Sequence, residues 1–387
     1  MPSYNYLTLH ILNALPLHNL NRDDRGMPKS LVQGGANRGM LSSQSLKRAA
    51  RKVYEDDSHD ISLRSAKWLA QEVASRVAAL RPELGDDTAR KDVVKRANVL
   101  IGALTASAEK AEKKKAEAKE GEEVVETKDT STWLSEDEIN QIATTVINDI
   151  EAGVATKAAP APIGQDRTTG SLAIAAFGRM FAAAADRQTV SAVAVSPATT
   201  THPISLVNDY FTTVDDLGAI YDAGNAGAAY LDTAAYTSGV YYRTVTIDRA
   251  QLHRSWSKPA DDDQAHERVA ALVRALIYGV PSGKKQSTGT GGTDMPVLVL
   301  AEEQRYRTAY GFDQPIALGK DGGYSGTSIA RLYGQRAAAL DFDGANFGRA
   351  TLAGTQGVDG EAARAEATNL SGLIDHVVSW VFHEAIA

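Results

Sequence analysis

The residues best suited to do chemistry lie in one stretch, Gly34–Lys52 (GGANRGMLSSQSLKRAARK). A glycine-rich turn runs into a helix start at Ser42 or Ser43, both good N-cap types. Backbone N–H groups and the helix dipole favour an anion at such a start. The side chains of Ser42, Gln44 and Ser45 can hydrogen-bond phosphate oxygens or ribose hydroxyls, and Lys47 and Arg51 add fixed positive charge. Lys47/Arg51 and Arg48/Lys52 are each spaced i, i+4, opposite an apolar face of Leu46, Ala49, Ala50 and Val53. The same pattern also fits a solvated helix with an ordinary serine cap. The arginines of the preceding loop, Arg22, Arg25 and Arg38, tilt the reading towards polyanion binding.

The net charge of -7 does not exclude this. Residues 1–54 carry eight Lys and Arg against Asp23 and Asp24 alone. Charges more than about 8 Å away are largely screened at physiological salt. Other chemistries fit less well. Gly279–Lys285 (GVPSGKK) has three residues between its glycines where a phosphate loop needs four, and Lys285 stands where Ser or Thr is required. It reads as a basic loop, with Lys284, Lys285 and Gln286 at its tip. His383-Glu384 begins a zincin motif that Ala387 fails to complete, and His376 and His383 find no third ligand at a sensible spacing. Asp23-Asp24 between Arg22 and Arg25 reads as local ion pairing that shapes a loop rather than as a nuclease pair. With no cysteine, thiolate metal sites, disulfides and a cysteine nucleophile are excluded. Neither a cofactor nor a metal is expected.

The elements that must position these groups follow from periodicity. Tyr4–Leu12 alternates and reads as a strand, not as a signal peptide. No apolar run approaches the ~20 residues of a membrane span, and a cytoplasmic protein is the simplest reading. Three apolar stripes predict helices: Leu69, Val73, Val77, Leu80; then Val93, Ala97, Leu100, Ile101, Leu104; then Ile139, Ile142, Val146, Ile147, Ile150, opened by a capping box at Ser135 and Glu138. Between the last two, Ala108–Lys128 is rich in Lys, Glu and Ala without an apolar stripe and reads as a mobile insertion. Leu172–Phe177, Thr189–Val195, Gly239–Ile247 and Val297–Leu300 read as strands, and Asp263–Tyr278 as a helix. A last amphipathic helix carries Leu373, Val377, Trp380 and Val381. The order fits an α+β protein with a ferredoxin-like core interrupted by a helical insert.

Several stretches resemble, in order, the signature of the backbone subunit of type I-E CRISPR surveillance complexes, the CasC family. They are Leu20–Asp24; Gly34-Gly35; Ser42–Ala49; Gly178-Arg179-Met180; Thr201-His202; Asp209–Leu217; Ser238–Arg243; Val280-Pro281; and Lys284–Gln286. The resemblance implies a hand-like subunit: a ferredoxin-like (RRM-type) palm, a helical fingers insertion and a β-hairpin thumb. On that reading 1–58 is the first part of the palm, 59–168 the insertion and 169–302 the rest of the palm. The thumb falls at about 196–235, and 303–387 is a palm-associated tail. Copies would polymerise along a guide RNA (crRNA), present its bases to target DNA and assemble with other Cascade subunits, with no turnover and no membrane. Ser42, Gln44, Lys47 and Arg51 would hold the RNA backbone, with Asn21, Arg22 and Arg38 nearby. Met180 would pack against bases, and Phe211, Thr212 and Val214 would lie at the thumb; from sequence alone Met180 reads as core.

Two other readings stay open. One is an RNA-processing endonuclease on a ferredoxin-like core, with His10 or His18 as general base. The other is a generic single-strand binder without partner subunits.

Overall fold

The protein's computed structural model describes residues 4–105, 131–156, 158, 168–181, 188–214, 228–257 and 262–383. The Lys/Glu-rich stretch 108–128 lies outside the described residues. The chain divides into two compact units: Met1–Asp56 with Ala194–Ile247 and Val269–Ala387, and Asp57–Val193 with Asp248–Arg268. The second takes in more chain than the insertion expected over 59–168.

Strand β1 (Tyr6–His18) leads through a loop to the hairpin β2 (Ser30–Gln33) and β3 (Ala36–Leu41), then to helix α1 (Ser43–Ser58). There follow β4 (Ser62–Ser65), α2 (Leu69–Leu80), α3 (Asp87–Thr105), β5 (Thr132–Ser135), α4 (Glu136–Glu151) and α5 (Leu172–Phe177). The chain continues as β6 (Val193–Val195), β7 (Ala198–Thr200), β8 (Val207–Val214), β9 (Ala228–Asp248), α6 (Arg249–Ser255) and α7 (Asp263–Tyr278). It ends with β10 (Gly279–Val280), α8 (Lys285–Thr288), β11 (Gly292–Thr293), β12 (Leu298–Gln304), α9 (Ser325–Asp343), β13 (Phe347–Gly354), α10 (Gly360–Ala363), β14 (Glu366–Ala367) and α11 (Leu370–Phe382).

The first unit is built on a ten-stranded sheet in the order β14-β13-β12-β1-β9-β7-β3-β2, with β6 and β8 also paired to β9. It is mostly antiparallel; β13 and β14 run parallel. Leu7, Leu9 and Ile11 alternate on one face of β1 and are fully buried. The other face carries Thr8 and His10, which enter a buried polar network. His10 Nε2 donates to Glu302 Oε1 at 3.0 Å, and its Nδ1 lies 2.9 Å from the Tyr242 hydroxyl. Tyr310 donates to Glu302 Oε1 at 2.7 Å, and Arg336 Nε donates to Oε2 at 2.9 Å. Burial, the largest influence on the Glu302 carboxyl, pushes its pKa up. The hydrogen bond and attraction of His10, the charge of Arg336 and the Tyr310 bond outweigh it and hold the group at about 2.

The second unit packs α2, α3 and α4 around Val73, Val77, Val93, Leu100, Ile139 and Val146. The capping box forms: Ser135 N donates to Glu138 Oε2 at 2.8 Å and Glu138 N to Ser135 Oγ at 3.2 Å. Leu80 ends its stripe exposed. Two strand expectations are corrected. Leu172–Phe177 is a short helix, capped by Ser171 Oγ at Ile174 N (3.4 Å) and ended by Gly178 at φ +77°. A six-residue apolar run carries no decisive period, and its three alanines with a serine cap favour helix. Of Thr189–Val195, only Val193–Val195 forms a strand; Thr189 makes a lone bridge to Arg179.

Glu302→Gln is expected to cost about 3 kcal/mol at pH 7, since it leaves Arg336 and His10 around a neutral amide. The carboxyl's folded pKa is depressed, so its contribution is complete above about pH 4.5 and is lost as pH falls towards 2. Urea titrations of both proteins at pH 7 and pH 3 should show the difference shrink.

Candidate nucleic-acid interface

The start of α1 is organised from the loop that follows β1. Asn21 Oδ1 accepts from Ser42 N at 2.8 Å and lies 3.3 Å from Ser45 Oγ. Ser42 Oγ accepts from Ser45 N at 3.4 Å. Asn21 and Ser42 therefore spend side-chain oxygens on capping backbone N–H groups at the helix start, those of Ser42 and Ser45. What these contacts leave to an incoming anion are the N–H groups of Ser43 and Gln44, the exposed Gln44 side chain and Lys47. Asp23 Oδ1 accepts from Arg25 N and Met27 N, both at 2.9 Å, and Asn19 Nδ2 donates to Gly26 O at 3.0 Å. Asp23 is thus a loop shaper, and the closed loop leaves Arg22 and Arg25 exposed.

The inward face of α1 is Leu46, Ala50 and Tyr54 rather than Leu46, Ala49, Ala50 and Val53. This i, i+4 row leaves Arg48 and Lys52 exposed and Lys47 half-buried. Burial lowers the Lys47 pKa. Arg51 is only 18% exposed and donates to Glu55 at 3.2 Å, one turn on. The helix face is less purely cationic than its spacing predicts, because Glu55 answers Arg51. Arg38 is corrected outright. It is fully buried, and its guanidinium donates to Phe312 O, to Asp313 O at 3.1 Å and to Thr200 O at 3.5 Å. It ties β3 to the 310–316 segment and does not reach a ligand.

The basic loop between β10 and β11 is drawn against the same place across some 240 residues of sequence. A Cβ at Gly279 would come within 2.9 Å of the Ala50 backbone, and one at Gly283 within 2.5 Å of Leu20 O. Only glycine permits approaches this close. Lys284 sits over the Tyr236 ring, 5.3 Å from its centroid, while Lys285 and Gln286 are exposed. The structure therefore brings together Asn21, Ser42–Lys47 and Lys284–Gln286 in one unit.

The hairpin β8–β9 rises from the same sheet, with Val207 opposite Tyr236 and Thr212 opposite Leu231. Val207, Tyr210, Phe211 and Leu231 are large apolar residues exposed on it. Thr212 is exposed too, and the side chain of Val214 lies outside the described residues. In the second unit Met180 is 74% exposed, against the sequence-only reading of it as core. Its neighbours account for this. Arg179 is buried and donates to Trp133 O at 3.2 Å and to Glu138 Oε2 at 2.7 Å, and Phe181 is buried in the helical core. Anchored on both sides, Met180 is held out of the core. The sequence alone does not show this, because the partner of Arg179, the Glu138 of the capping box, stands 41 residues away.

The two histidines of the endonuclease reading are sealed. His10 is fully buried in the Glu302 network. His18 is 2% exposed, and burial holds its pKa at about 4. His376 is buried between Thr351 and Glu303. Among the described residues no group of three or more His, Cys, Asp or Glu side chains is placed to hold a metal, and no helix is long and apolar enough to cross a membrane.

This α+β architecture, with its large mostly antiparallel sheet, is similar to chains solved in RNA-guided assemblies. One, from a "CRISPR RNA-guided surveillance complex, pre-nicking", shares 25% identity at a TM-score of 0.76, over 97% of this chain and 100% of that one. Another, from a "CRISPR RNA-guided surveillance complex", shares 23% identity at a TM-score of 0.67, over 97% and 99%. No curated protein matches the sequence. The sequence pattern of the CT1975-like proteins spans residues 7–380, and the chain belongs to that family.

Arg38→Gln is expected to lower stability by about 3 kcal/mol, because buried carbonyls lose a charged donor. If the chain binds single-stranded RNA through the α1 start, the folded variant keeps that affinity within about twofold, since no phosphate contact is removed. Urea titration and fluorescence anisotropy on the same preparation check the two halves.

Proposed function

We propose that this chain is the repeating backbone subunit of a CRISPR effector complex of the type I-E kind, as in the CasC family, and that it holds guide RNA without reading its sequence. The observation that carries the proposal is the meeting of the α1 start, the Asn19–Lys29 loop and the Lys284–Gln286 loop in one unit. These groups offer N–H donors, an amide and ammonium groups, which match phosphates and riboses and carry no base code. A guide must vary in sequence, so its carrier has to bind the backbone. The likeness to chains of RNA-guided surveillance complexes supports the same reading.

On this reading the sheet unit is the ferredoxin-like palm, the helical unit the fingers and β8–β9 the thumb. Met180 and the exposed apolar residues of the thumb, Phe211 among them, separate bases at intervals, an interruption of stacking that any base tolerates. Lys47 is the principal phosphate ligand, and Arg51 joins by exchanging Glu55 for RNA. Copies of the chain line up along the guide beside other complex subunits, target DNA pairs with the presented bases, and the work is done in the cytoplasm without turnover. The burial of His10 and His18 weighs against the cleavage reading.

Lys47→Ala with Lys285→Ala should weaken RNA binding equally for guides of unrelated sequence. It should also flatten the slope of log K against log salt by about 1.4, or about 0.7 for each lost single-strand phosphate contact. Anisotropy titrations from low to high salt measure both. An unchanged slope removes the assignment, and cleavage of repeat RNA by the purified protein reinstates the endonuclease.

A further inference from the structure

Tyr306 is 73% exposed and lies between two exposed arginines, Arg305 and Arg307, just after β12. The segment is held rigidly by a residue that is itself nearly buried. Asn346 O accepts from Arg305 N at 2.8 Å, its Oδ1 accepts from Tyr306 N at 2.7 Å, and its Nδ2 donates to Tyr306 O at 3.1 Å. On the far side Thr308 N donates to Gln304 Oε1 at 2.9 Å. Every backbone anchor points inward, and the three side chains are left outside. An aromatic ring in this setting forgoes a burial that Tyr241, Tyr310 and Phe312 of the same unit obtain.

We propose that Arg305, Tyr306 and Arg307 form a second contact for single-stranded nucleic acid, with a base stacked on the Tyr306 ring and flanking phosphates on the two guanidiniums. A π-face beside fixed cations is the chemistry of sequence-tolerant single-strand binding. An acidic peptide would use the arginines but gain little from the ring. Two acids close by in the chain or on α9 have partners of their own: Glu303 accepts from His376 and Asp341 from Arg364. The exposed Phe342, by contrast, lies between Asp341 and Asp343 and suits no phosphate.

The location separates this contact from the α1 interface. Gln304 pairs with Tyr6, at the start of β1, whereas the Asn19–Lys29 loop leaves from His18, at its end. The length of β1, twelve residue steps, thus separates the two along the strand. A strand gripped at Lys47 therefore does not occupy Tyr306 with the same few nucleotides.

The test uses the full-length chain with U-only and T-only strands of equal length carrying a photoreactive thio-base, and a duplex of the same length. Irradiation followed by peptide mapping should give a crosslink within 305–307 for at least one single strand, and the U and T arms show whether RNA or DNA is preferred. Tyr306→Ala should weaken that binding about tenfold, while Tyr306→Phe stays within about threefold because stacking needs no hydroxyl. Lys47→Ala should leave the crosslink in place at saturation, so failure of the guide-holding proposal is distinguishable from failure of this one. The inference is overturned by saturating single-strand binding with no crosslink in 305–307, by a duplex bound as well and with the same loss in Tyr306→Ala, or by a Tyr306→Ala effect confined to self-association.

Discussion

One buried carboxylate organises the sheet unit. Glu302 lies on β12 at the centre of the sheet and gathers His10 from β1, Arg336 from α9 and Tyr310 from the connecting segment. A charge in that position is expensive unless every lone pair is used, and replacing any partner leaves the others stranded. The network therefore does more to fix which strands and helices are neighbours than to add net stability. With β1 locked to β12 in one register, His18 and the loop beyond it can emerge at only one place, and the α1 start is capped from that loop.

The start of α1 shows how much of a polar surface folding itself can consume. Asn21, Ser42 and Ser45 are the residue types that could grip a ribose–phosphate chain, yet much of their capacity goes to capping α1. That expense sets the geometry. A capped helix start presents its remaining N–H groups in fixed directions, and the glycine approaches at 279 and 283 press the basic loop against it. Binding that ignores sequence depends on such prepositioning, because no base contact is present to correct a misplaced backbone.

What the sequence made legible was local. The helix Asp263–Tyr278, the capping box at Ser135 and Glu138, the serine start of α1 and the burial of Leu373, Val377, Trp380 and Val381 all follow from periodicity and cap chemistry within a turn or two. What it hid was set by partners far along the chain. Arg38 looks like a loop cation, but its guanidinium is consumed by carbonyls some 160 to 275 residues away. Met180 looks like core until Arg179 is seen to be anchored to a helix cap 41 residues earlier. Arg51 and Glu55 are an i, i+4 pair within a run of cations, and the pair is visible in the sequence.

The charge argument survives these corrections in a sharper form. With Arg38 buried and Arg51 answered by Glu55, six of the eight basic residues in 1–54 remain against Asp23 and Asp24, and Asp23 is turned into its own loop by two backbone donors. The distant loop restores what was lost by adding Lys284 and Lys285 to the same locality. Within a screening length of about 8 Å it is this local excess, and not the chain's net charge of -7, that a phosphate feels. A protein of this sign can thus stay repelled by nucleic acid over most of its surface and attract it along one path.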